Sequence, residues 1–443
     1  LFYMLVGPRH INGRNFSVKV TAPEINATSI SASYSYTCAL DNSSGRVKCW
    51  GDNWYGQLGL GDTNDRGDGA NEMGSNLAFV ELGTGRTATA INSNSVHTCA
   101  LLDNASVKCW GRGTYGQLGQ GNNNNLGDGA NEMGDNIPSI DLGTGRTATA
   151  ISTGQNQTCA LLDNASVKCW GYNNYGQLGQ GNTNNLGDGA NEMGDNLPAI
   201  DLGTGRTATA IAQGNSHTCA LLDNASVKCW GYGQYGQLGQ GNNTTLGNGA
   251  NEMGDNLTSI DLGTGRTATA ISAGHQHTCA LLDNASVKCW GLGSSGQLGQ
   301  DNNTTLGNGA NEMGDNLTSI DLGTGRTATA ISAGQNHTCA LLDNASVKCW
   351  GSNNNGQLGQ GNTNNLGDGA NEMGDNLPSI DLGTGRTATA ISASSADHTC
   401  VLLDNSAVKC WGYGGDGRHG QGNTNTIGDD SNEMGDNLPA IDL

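Results

Sequence analysis

The 443-residue chain has little of what usually builds a large core or a charged interface. It contains 3 Phe and 6 Pro, and only 14% of its residues are charged. No run of about 18 apolar residues occurs, so the sequence predicts no membrane-spanning helix. Lys and Arg number 20 against 40 Asp and Glu, which gives a net charge of −20. Because phosphate contacts need a basic stripe, this acidic balance disfavours nucleic acid as a partner.

Signatures of catalysis are also missing. The sequence has no nucleophile motif, no phosphate-binding loop and no zinc-ligand spacing. Five histidines share one repeat position, which Tyr36 and Gln157 occupy in other repeats, and this predicts hydrogen bonding within the repeat rather than acid–base chemistry. We therefore expect no enzymatic activity and no required cofactor. The five are His97, His217, His277, His337 and His398.

Repetition is what the sequence does have. One phrase, which runs from His97 to Gly111 in its clearest form, recurs seven times at intervals of 60 or 61 residues, and each copy carries two cysteines. A repeat of this length is one supersecondary unit that cannot bury its apolar side alone. Neighbouring units must therefore stack or close into a ring.

The cysteines of each repeat are spaced for a disulfide. Asn164 lies midway between Cys159 and Cys169, so the two cysteines face each other across a hairpin. Directly opposed positions bring Cβ atoms to about 4.5–5.5 Å, and a bridge over so short a loop contributes about 3 kcal/mol. Such bridges persist in oxidising compartments, which predicts an extracellular or cell-surface protein. The predicted pairs are Cys38–Cys49, Cys99–Cys109, Cys159–Cys169, Cys219–Cys229, Cys279–Cys289, Cys339–Cys349 and Cys400–Cys410.

Four strands are predicted in each unit, as at 140–142, 146–152, 158–162 and 167–171. Seven such units predict an all-β fold, a seven-bladed β-propeller of four-stranded antiparallel blades. The Ile-Asp-Leu segment precedes the second to seventh cysteine pairs and returns at 441–443. We therefore expect this C-terminal strand to join the first blade and close the ring.

The propeller is predicted to span residues 25–443, and residues 1–24 to form an N-terminal arm. The arm contains an apolar run and an alternating segment at 16–20, although the ring has its full strand count without it. An unneeded apolar strand is a candidate for docking on a neighbouring subunit. The alternative is that it folds back on its own propeller.

Three elements of the repeat carry a family resemblance: His-Thr-Cys-Ala-Leu, Val-Lys-Cys-Trp-Gly and Tyr-Gly-Gln-Leu-Gly, the last at 115–119, 175–179 and 235–239. They resemble the repeats of the regulator of chromosome condensation family, whose members form seven-bladed propellers. That family includes a nuclear exchange factor, a plant photoreceptor and a secreted enzyme inhibitor, so the resemblance implies a fold rather than one activity. The seven tryptophans that follow the second cysteines occupy one repeated site, which suggests core packing.

A long acidic segment follows the Gln-Leu-Gly motif in every unit. Asp188, Asn191, Glu192 and Asp195 offer several oxygens in a short span, with glycines for tight turns, and this suits Ca²⁺. The alternative is a turn network in which Asn and Asp cap their own backbone and Met193 fills an apolar gap.

The hairpin turns contain the acceptor pattern for N-glycosylation. If the source is eukaryotic, turn tips in an oxidising compartment are suitable acceptors, whereas a bacterial source would leave them bare. The candidates are Asn42, Asn104, Asn164, Asn224, Asn284 and Asn344.

A variable stretch lies between Trp-Gly and Gly-Gln-Leu-Gly, and the residues before each His-Thr-Cys, such as 274–276, vary too. Exposed aromatic residues amid Gly and Asn predict a binding surface, with unconstrained loop drift as the alternative. The binding-loop candidates are Trp54, Tyr55, Arg112, Tyr115, Tyr172, Tyr175, Tyr232 and Tyr235.

Together these patterns predict an extracellular structural or adhesive module, a subunit of a surface assembly or filament. Its expected partners are copies of itself or other extracellular proteins, and glycans. The alternative function is a monomeric secreted binding protein, lectin-like or inhibitor-like, that acts through its variable loops.

Overall fold

The computed structural model describes residues 25–41 and 43–443. The predicted arm, residues 1–24, lies outside them. The described residues form seven antiparallel sheets, one per repeat, and contain no α-helix. Each sheet is a blade, so the all-β fold and the seven blades are confirmed.

Every blade has three strands, joined in sequence order. The first three blades are β1 (Ser29–Ala32), β2 (Tyr36–Asp41), β3 (Arg46–Gly51); β4 (Ala88–Asn94), β5 (His97–Leu102), β6 (Val107–Gly111); and β7 (Ala148–Thr153), β8 (Gln157–Leu162), β9 (Val167–Gly171). The other four are β10 (Ala208–Gln213), β11 (His217–Leu222), β12 (Val227–Gly231); β13 (Ala268–Ala273), β14 (His277–Leu282), β15 (Val287–Gly291); β16 (Ala328–Ala333), β17 (His337–Leu342), β18 (Val347–Gly351); and β19 (Ala388–Ala393), β20 (His398–Leu403), β21 (Val408–Gly412).

Short 3₁₀ helices are the other regular elements of the described residues, and all of them lie in the segments after the third strands. They are Gly74–Asn76, Gly134–Asn136, Gly194–Asn196, Gly254–Asn256, Gly314–Asn316, Gly374–Asn376, Gly415–Gly417 and Gly435–Asn437.

The prediction of a fourth strand was wrong. The Ile-Asp-Leu segment is not part of any sheet, and Ile140 N donates a hydrogen bond to Val107 O, at the start of β6. At the other end of β6, Gly111 and Leu126 exchange two backbone hydrogen bonds. The outer edge of the blade is therefore covered at its two ends rather than by a continuous strand. Pro138 and Gly143 flank the segment. Proline cannot donate a backbone hydrogen bond and glycine weakens a strand, so both disfavour a longer run of strand pairing with β6.

The segment also belongs to a different blade from the one predicted, because it packs on the hairpin that precedes it. Accordingly, Ile441 N donates to Val408 O of the seventh blade, and the C-terminal segment does not add a strand to the first. It still lies at the junction of the two blades, since Gly74 N donates to Asp442 O and Ile25 N to Leu443 O. Ile441 and Leu443 share one buried cluster with residues of both blades.

The disulfide prediction is confirmed in all seven blades. The cysteines are direct partners across the second and third strands, as Cys99 and Cys109 are, with Cα atoms 4.1 Å apart in every pair. The second and third strands are buried almost throughout, because neighbouring blades cover them on both faces.

A repeated hydrogen-bonded junction joins successive blades. The backbone carbonyl of Gln57 accepts from the Trp110 indole N–H at 3.0 Å and from the Thr98 hydroxyl at 2.9 Å. The equivalent bonds recur around the ring, and all seven of these tryptophans are fully buried, which confirms their predicted role in core packing.

The junction between the seventh and first blades has its own variant. Arg418 replaces glutamine there, and its carbonyl accepts from Trp50 Nε1 at 3.0 Å and from Thr37 Oγ1 at 3.2 Å. The Arg418 side chain adds a bond from Nη1 to Tyr34 O at 2.9 Å and an ion pair with Asp416 at 2.7 Å. The last blade is thereby tied to the first by a side-chain contact, which among the six equivalent glutamines only Gln357 matches, through Asp397 of the seventh blade at 3.1 Å.

Replacing Arg418 by the glutamine of the other six units tests this extra contact. We expect Arg418→Gln to lower the free energy of unfolding by about 1–3 kcal/mol, because a buried charged donor is lost while the carbonyl junction remains. Urea denaturation followed by tryptophan fluorescence measures the change. The control is Arg66→Gln, which removes a more exposed ion pair with Asp62 and should change the stability by less than about 1 kcal/mol. Equal effects of the two substitutions would contradict the assignment.

Candidate interaction face

The two faces of the ring differ in sequence variability. The turns between first and second strands and the segments after third strands emerge on one face, which we call the variable face. Backbone bonds join them, since Arg112 N donates to Val96 O and Tyr172 N to Asn156 O. The tips of the hairpins between second and third strands lie at the other end of the strands, on what we call the hairpin face. The structure thus places both variable stretches of the sequence side by side.

The predicted binding-loop residues form a continuous arc on the variable face. Ring centroids lie 5.0 Å apart for Tyr115 and Tyr172, and 4.7 Å apart for Tyr175 and Tyr232, so each pair bridges two blades. Within a blade, Tyr172 and Tyr175 are 6.5 Å apart, and the equivalent pair in the fourth blade is 6.0 Å apart. These are favourable spacings for tilted and edge-to-face rings.

A cation extends the arc toward the first blade. The Arg112 guanidinium lies 5.1 Å from the centre of the Tyr55 ring and 5.5 Å from that of Tyr115. Trp54, beside Tyr55, is 73% exposed. Seven of the eight predicted residues therefore belong to one contact series, and Trp54 stands next to its end. We call the eight residues together the tyrosine arc.

Buried polar side chains hold the loops of the arc in shape. Asn173 is fully buried, accepts from Leu178 N at 2.9 Å and donates from Nδ2 to Asn182 O at 2.9 Å. Gln177 Oε1 accepts from Tyr175 N at 3.0 Å. The backbone of this loop is fixed by its own amides, so the tyrosine side chains are presented outward without having to anchor the loop.

Two further exposed aromatic residues on this face were not among the named binding-loop candidates. Tyr34 is 45% exposed in the turn after β1, and Tyr413 is 43% exposed after β21, where the Arg418 guanidinium lies 4.8 Å from its ring. Tyr413 occupies the same repeat position as Tyr172, so alignment of the units could have identified it. Tyr34 has no aromatic counterpart in the other units and gives no such signal.

The repeated histidines form bonds between blades, and the expectation that they bond within their own repeat was wrong. His97 Nε2 lies 2.9 Å from Thr158 Oγ1 of the next blade, and His398 closes the series with Thr37 at 3.1 Å. Gln157 likewise donates across, to Gly214 O at 3.1 Å. The twist of the sheets and the packing of the blades bring the start of each second strand against the next blade. A sequence pattern within one repeat does not reveal this contact.

Burial makes these histidines sensitive to acid. It lowers the pKa of His217 to about 3, from an ordinary value of 6.5. Between those two pH values the unfolded chain binds a proton that the folded chain does not, so the free energy of unfolding falls as pH falls. One such residue accounts for up to about 1.4 kcal/mol per pH unit.

The substitution His217→Gln tests this linkage, because Gln157 shows that the site accepts glutamine. We expect the free energy of unfolding to depend less steeply on pH between 6.5 and 4, by about 1 kcal/mol per pH unit. The reciprocal variant Gln157→His should steepen it. Urea denaturation over a pH series measures both slopes, and slopes equal to that of the parent protein would show that these histidines do not titrate as argued.

The four calcium candidates are divided between two sets of contacts. Glu192 Oε2 accepts from Gly187 N at 2.9 Å and from Gly189 N at 2.7 Å, and Asp195 accepts from the backbone and hydroxyl of Thr144 in the preceding turn. Burial and the nearby Glu192 raise the pKa of Asp188. Asn191 takes a left-handed backbone at φ 65°. Within the described ranges, no three His, Cys, Asp or Glu side chains are grouped to hold a metal. Calcium binding stays a prediction.

The predicted glycosylation acceptors lie on the hairpin face. Asn104, Asn164, Asn224, Asn284 and Asn344 are exposed at equivalent tips, and the Oδ1 atom of each accepts from the serine two residues later. Asn42, the sixth candidate, lies outside the described residues. None of the described helices is long and apolar enough to cross a membrane.

Comparison with known families gives a repeated match. The regulator of chromosome condensation (RCC1) repeat is found at residues 27–57, 88–117, 148–177, 208–237, 268–297, 328–357 and 388–421. A second model of the same repeat matches 106–161 and 166–221. All seven blades are therefore recognised.

Among curated proteins, the chain is 29% identical over 350 residues to the ultraviolet-B receptor UVR8 of Arabidopsis thaliana, covering 78% of this chain and 69% of that protein. It is 26% identical over 275 residues to the human E3 ubiquitin-protein ligase HERC2, covering 62% of this chain but 5% of that protein. Among solved structures, human WBSCR16 matches with a TM-score of 0.63 at 18% identity, over 85% of this chain and 87% of that one. Prp20p of Saccharomyces cerevisiae, studied for binding to Gsp1p and histones, matches with a TM-score of 0.61 at 17% identity, over 88% and 83%.

Proposed function

This chain belongs to the regulator of chromosome condensation repeat family, and from that premise we propose that it binds a partner macromolecule through its variable face. Relatives of this fold are protein-interaction modules, as the binding of Prp20p to Gsp1p and histones illustrates. The partner here is a separate question, because a shared propeller does not carry over a shared ligand.

The tyrosine arc is the observation that carries this proposal. Tyrosine, tryptophan and arginine are the residue types that contribute most at interfaces, and the two aromatic side chains offer a large area for few rotatable bonds. Here they come from four consecutive blades and already contact one another. A partner that covers the arc would bury rings that are positioned before it arrives, which reduces the entropy lost on binding.

We propose further that the protein works outside the reducing cytosol. Seven buried disulfides would be at risk of reduction there, whereas they are stable in an oxidising compartment. Glycans on the exposed tips of the hairpin face would leave the variable face free for a partner. The acidic surface favours a partner that presents basic groups around an apolar centre.

The structural or adhesive role predicted from the sequence stays a prediction, and its filament version depends on the arm, residues 1–24. Light scattering separates it from the binding role. A polymer that disappears when residues 1–24 are deleted would support the building block, and a monodisperse monomer supports the binding protein.

The binding role is tested by the double substitution Tyr175→Ala with Tyr232→Ala. Chemical cross-linking and mass spectrometry on material from the native source identify the partner, and surface plasmon resonance measures its affinity. We expect the affinity to fall at least about tenfold, since two central aromatic side chains are removed.

The control for this experiment carries Arg146→Ala with Arg206→Ala, which removes two exposed ion pairs on the hairpin face. That variant should bind like the parent protein. A partner that binds the tyrosine variant with undiminished affinity would refute the role of the arc.

Glycosylation is tested on protein purified from its native source. We expect treatment with an N-glycosidase to reduce the mass, because the five described tips are exposed acceptors of identical geometry. The variant Ser166→Ala should remove the glycan at Asn164 alone, while Ser152→Ala, which lies outside the acceptor pattern, should leave the mass difference unchanged. An unchanged mass after enzyme treatment would show that the tips are bare.

A further inference from the structure

A cavity lies at the centre of the ring. The first strands of all seven blades, from β1 to β19, contribute to its wall, and its volume is about 220 Å³. The turns that follow these strands form its rim, with residues such as Ser95, Gln155 and Asn215. Because those turns belong to the variable face, the cavity opens on the same side as the tyrosine arc.

The wall of the cavity is neutral and polar. Hydroxyl groups, side-chain amides and short apolar groups line it, and no Asp, Glu, Lys or Arg is among the lining residues, although the chain has 40 acidic side chains. His275 is the one histidine in the wall, and burial lowers its pKa. A charged ligand would lose its hydration here without gaining a counter-charge.

The seven repeats differ in amino-acid sequence at a position that lines the cavity. In each blade, the threonine of the second strand pairs with one residue near the end of the first strand. From the first blade to the seventh, that residue is Ala32, Ser93, Thr153, Gln213, Ala273, Ala333 and Ala393. The neighbouring hairpins are near copies of one another. Gln213 is the largest side chain at this position. It belongs to the fourth blade, and its Nε2 atom lies 2.7 Å from Cys159 Sγ of the third blade, so its amide faces the junction of the third and fourth blades.

The junction of the fourth and fifth blades lacks a hydrogen bond that most other junctions have. Ser272 Oγ accepts from Ala333 N at 2.9 Å, and Ser332 Oγ accepts from Ala393 N at 2.9 Å. Ala212 holds the same position in the fourth blade and carries no hydroxyl to accept from the amide of Ala273. The fourth blade therefore offers the fifth no hydroxyl acceptor at this position.

Two amide oxygens of the fourth blade, both from residues that line the cavity, have no hydrogen-bond partner among the described residues: Oε1 of Gln213, a residue 5% exposed, and Oδ1 of Asn215. The other end of the Asn215 amide contacts His275 Nε2. A buried polar atom without a partner costs about 1–3 kcal/mol, and a ligand hydroxyl that reaches these amides after a small rotation would recover part of that cost.

We propose that the central cavity binds a neutral, polyhydroxylated six-membered ring, the chemistry of a hexopyranose, with Gln213, Asn215 and His275 as its polar contacts. A cavity of about 150 Å³ holds one benzene ring, so 220 Å³ fits a single ring with its hydroxyl groups. Tyr34, which is 45% exposed and also lines the cavity, offers an aromatic surface for the apolar face of such a ring. The ring can come from a free monosaccharide or from the terminal residue of a glycan.

Saturation-transfer NMR and titration calorimetry with glucose, galactose and mannose test the proposal on the whole protein. We expect at least one of these sugars to bind, and glucuronic acid, a charged ring of similar size, to fail. Gln213→Ala should weaken the binding about tenfold, because one good polar contact is lost. Alanine occupies this position in four other blades, so the variant is expected to fold, and its melting temperature verifies this.

The matched control is Gln120→Ala, which removes an exposed glutamine outside the cavity and should leave sugar binding unchanged. An oligosaccharide that ends in the bound sugar distinguishes the two sources: tighter binding of the oligosaccharide identifies a glycan terminus, and equal or weaker binding identifies the free sugar. Absence of binding by all three sugars, equal binding of glucuronic acid, or an unchanged affinity of Gln213→Ala would overturn the proposal.

This inference is independent of the partner proposed for the tyrosine arc. The double substitution at Tyr175 and Tyr232 should leave sugar binding intact, and Gln213→Ala should leave partner binding intact. Failure of one therefore does not imply failure of the other.

Discussion

One backbone carbonyl per unit holds this protein together. The carbonyl of Gln57 accepts from the indole of Trp110 and the hydroxyl of Thr98, both of which belong to the next blade. Each blade buries its apolar residues against its neighbours, so no blade has a complete core of its own, and the clusters of buried residues lie between blades. The orientation of one blade on the next is then set by a few directional bonds in a dry interface, where such bonds are strongest.

Because the same junction is repeated seven times, the residues that form it cannot vary much, while residues outside it can. The chain reflects this division. Hairpins, disulfides and buried tryptophans are near copies, whereas the loops after the third strands and the turns after the first strands differ from blade to blade. Both sets lie on the variable face. The loops after the third strands carry the tyrosine arc, and the turns after the first strands surround the central cavity. Recognition can change there without any cost to the ring.

Much of this could be predicted from the sequence because the signal is periodic. The spacing of Cys159 and Cys169 about Asn164 predicted a hairpin disulfide, and the repeated tryptophans were expected in the core. The fourth strand was predicted wrongly because Ile-Asp-Leu alternates like a strand, yet a strand requires a partner along its length and β6 offers one bond there. The contact of Tyr115 with Tyr172 could not be predicted, since it depends on the angle between two blades.

The sequence by itself determined the number of blades, the disulfides and the loops free to vary, because each of these depends on contacts within one unit of about 60 residues. The tertiary structure decided which residues from different units meet: the partners of the histidines, the contact series of the tyrosines, the position of the C-terminal segment and the unpaired amides around the cavity. These are relations between blades. They arise from the packing of twisted sheets against one another, which spacing along one chain does not encode.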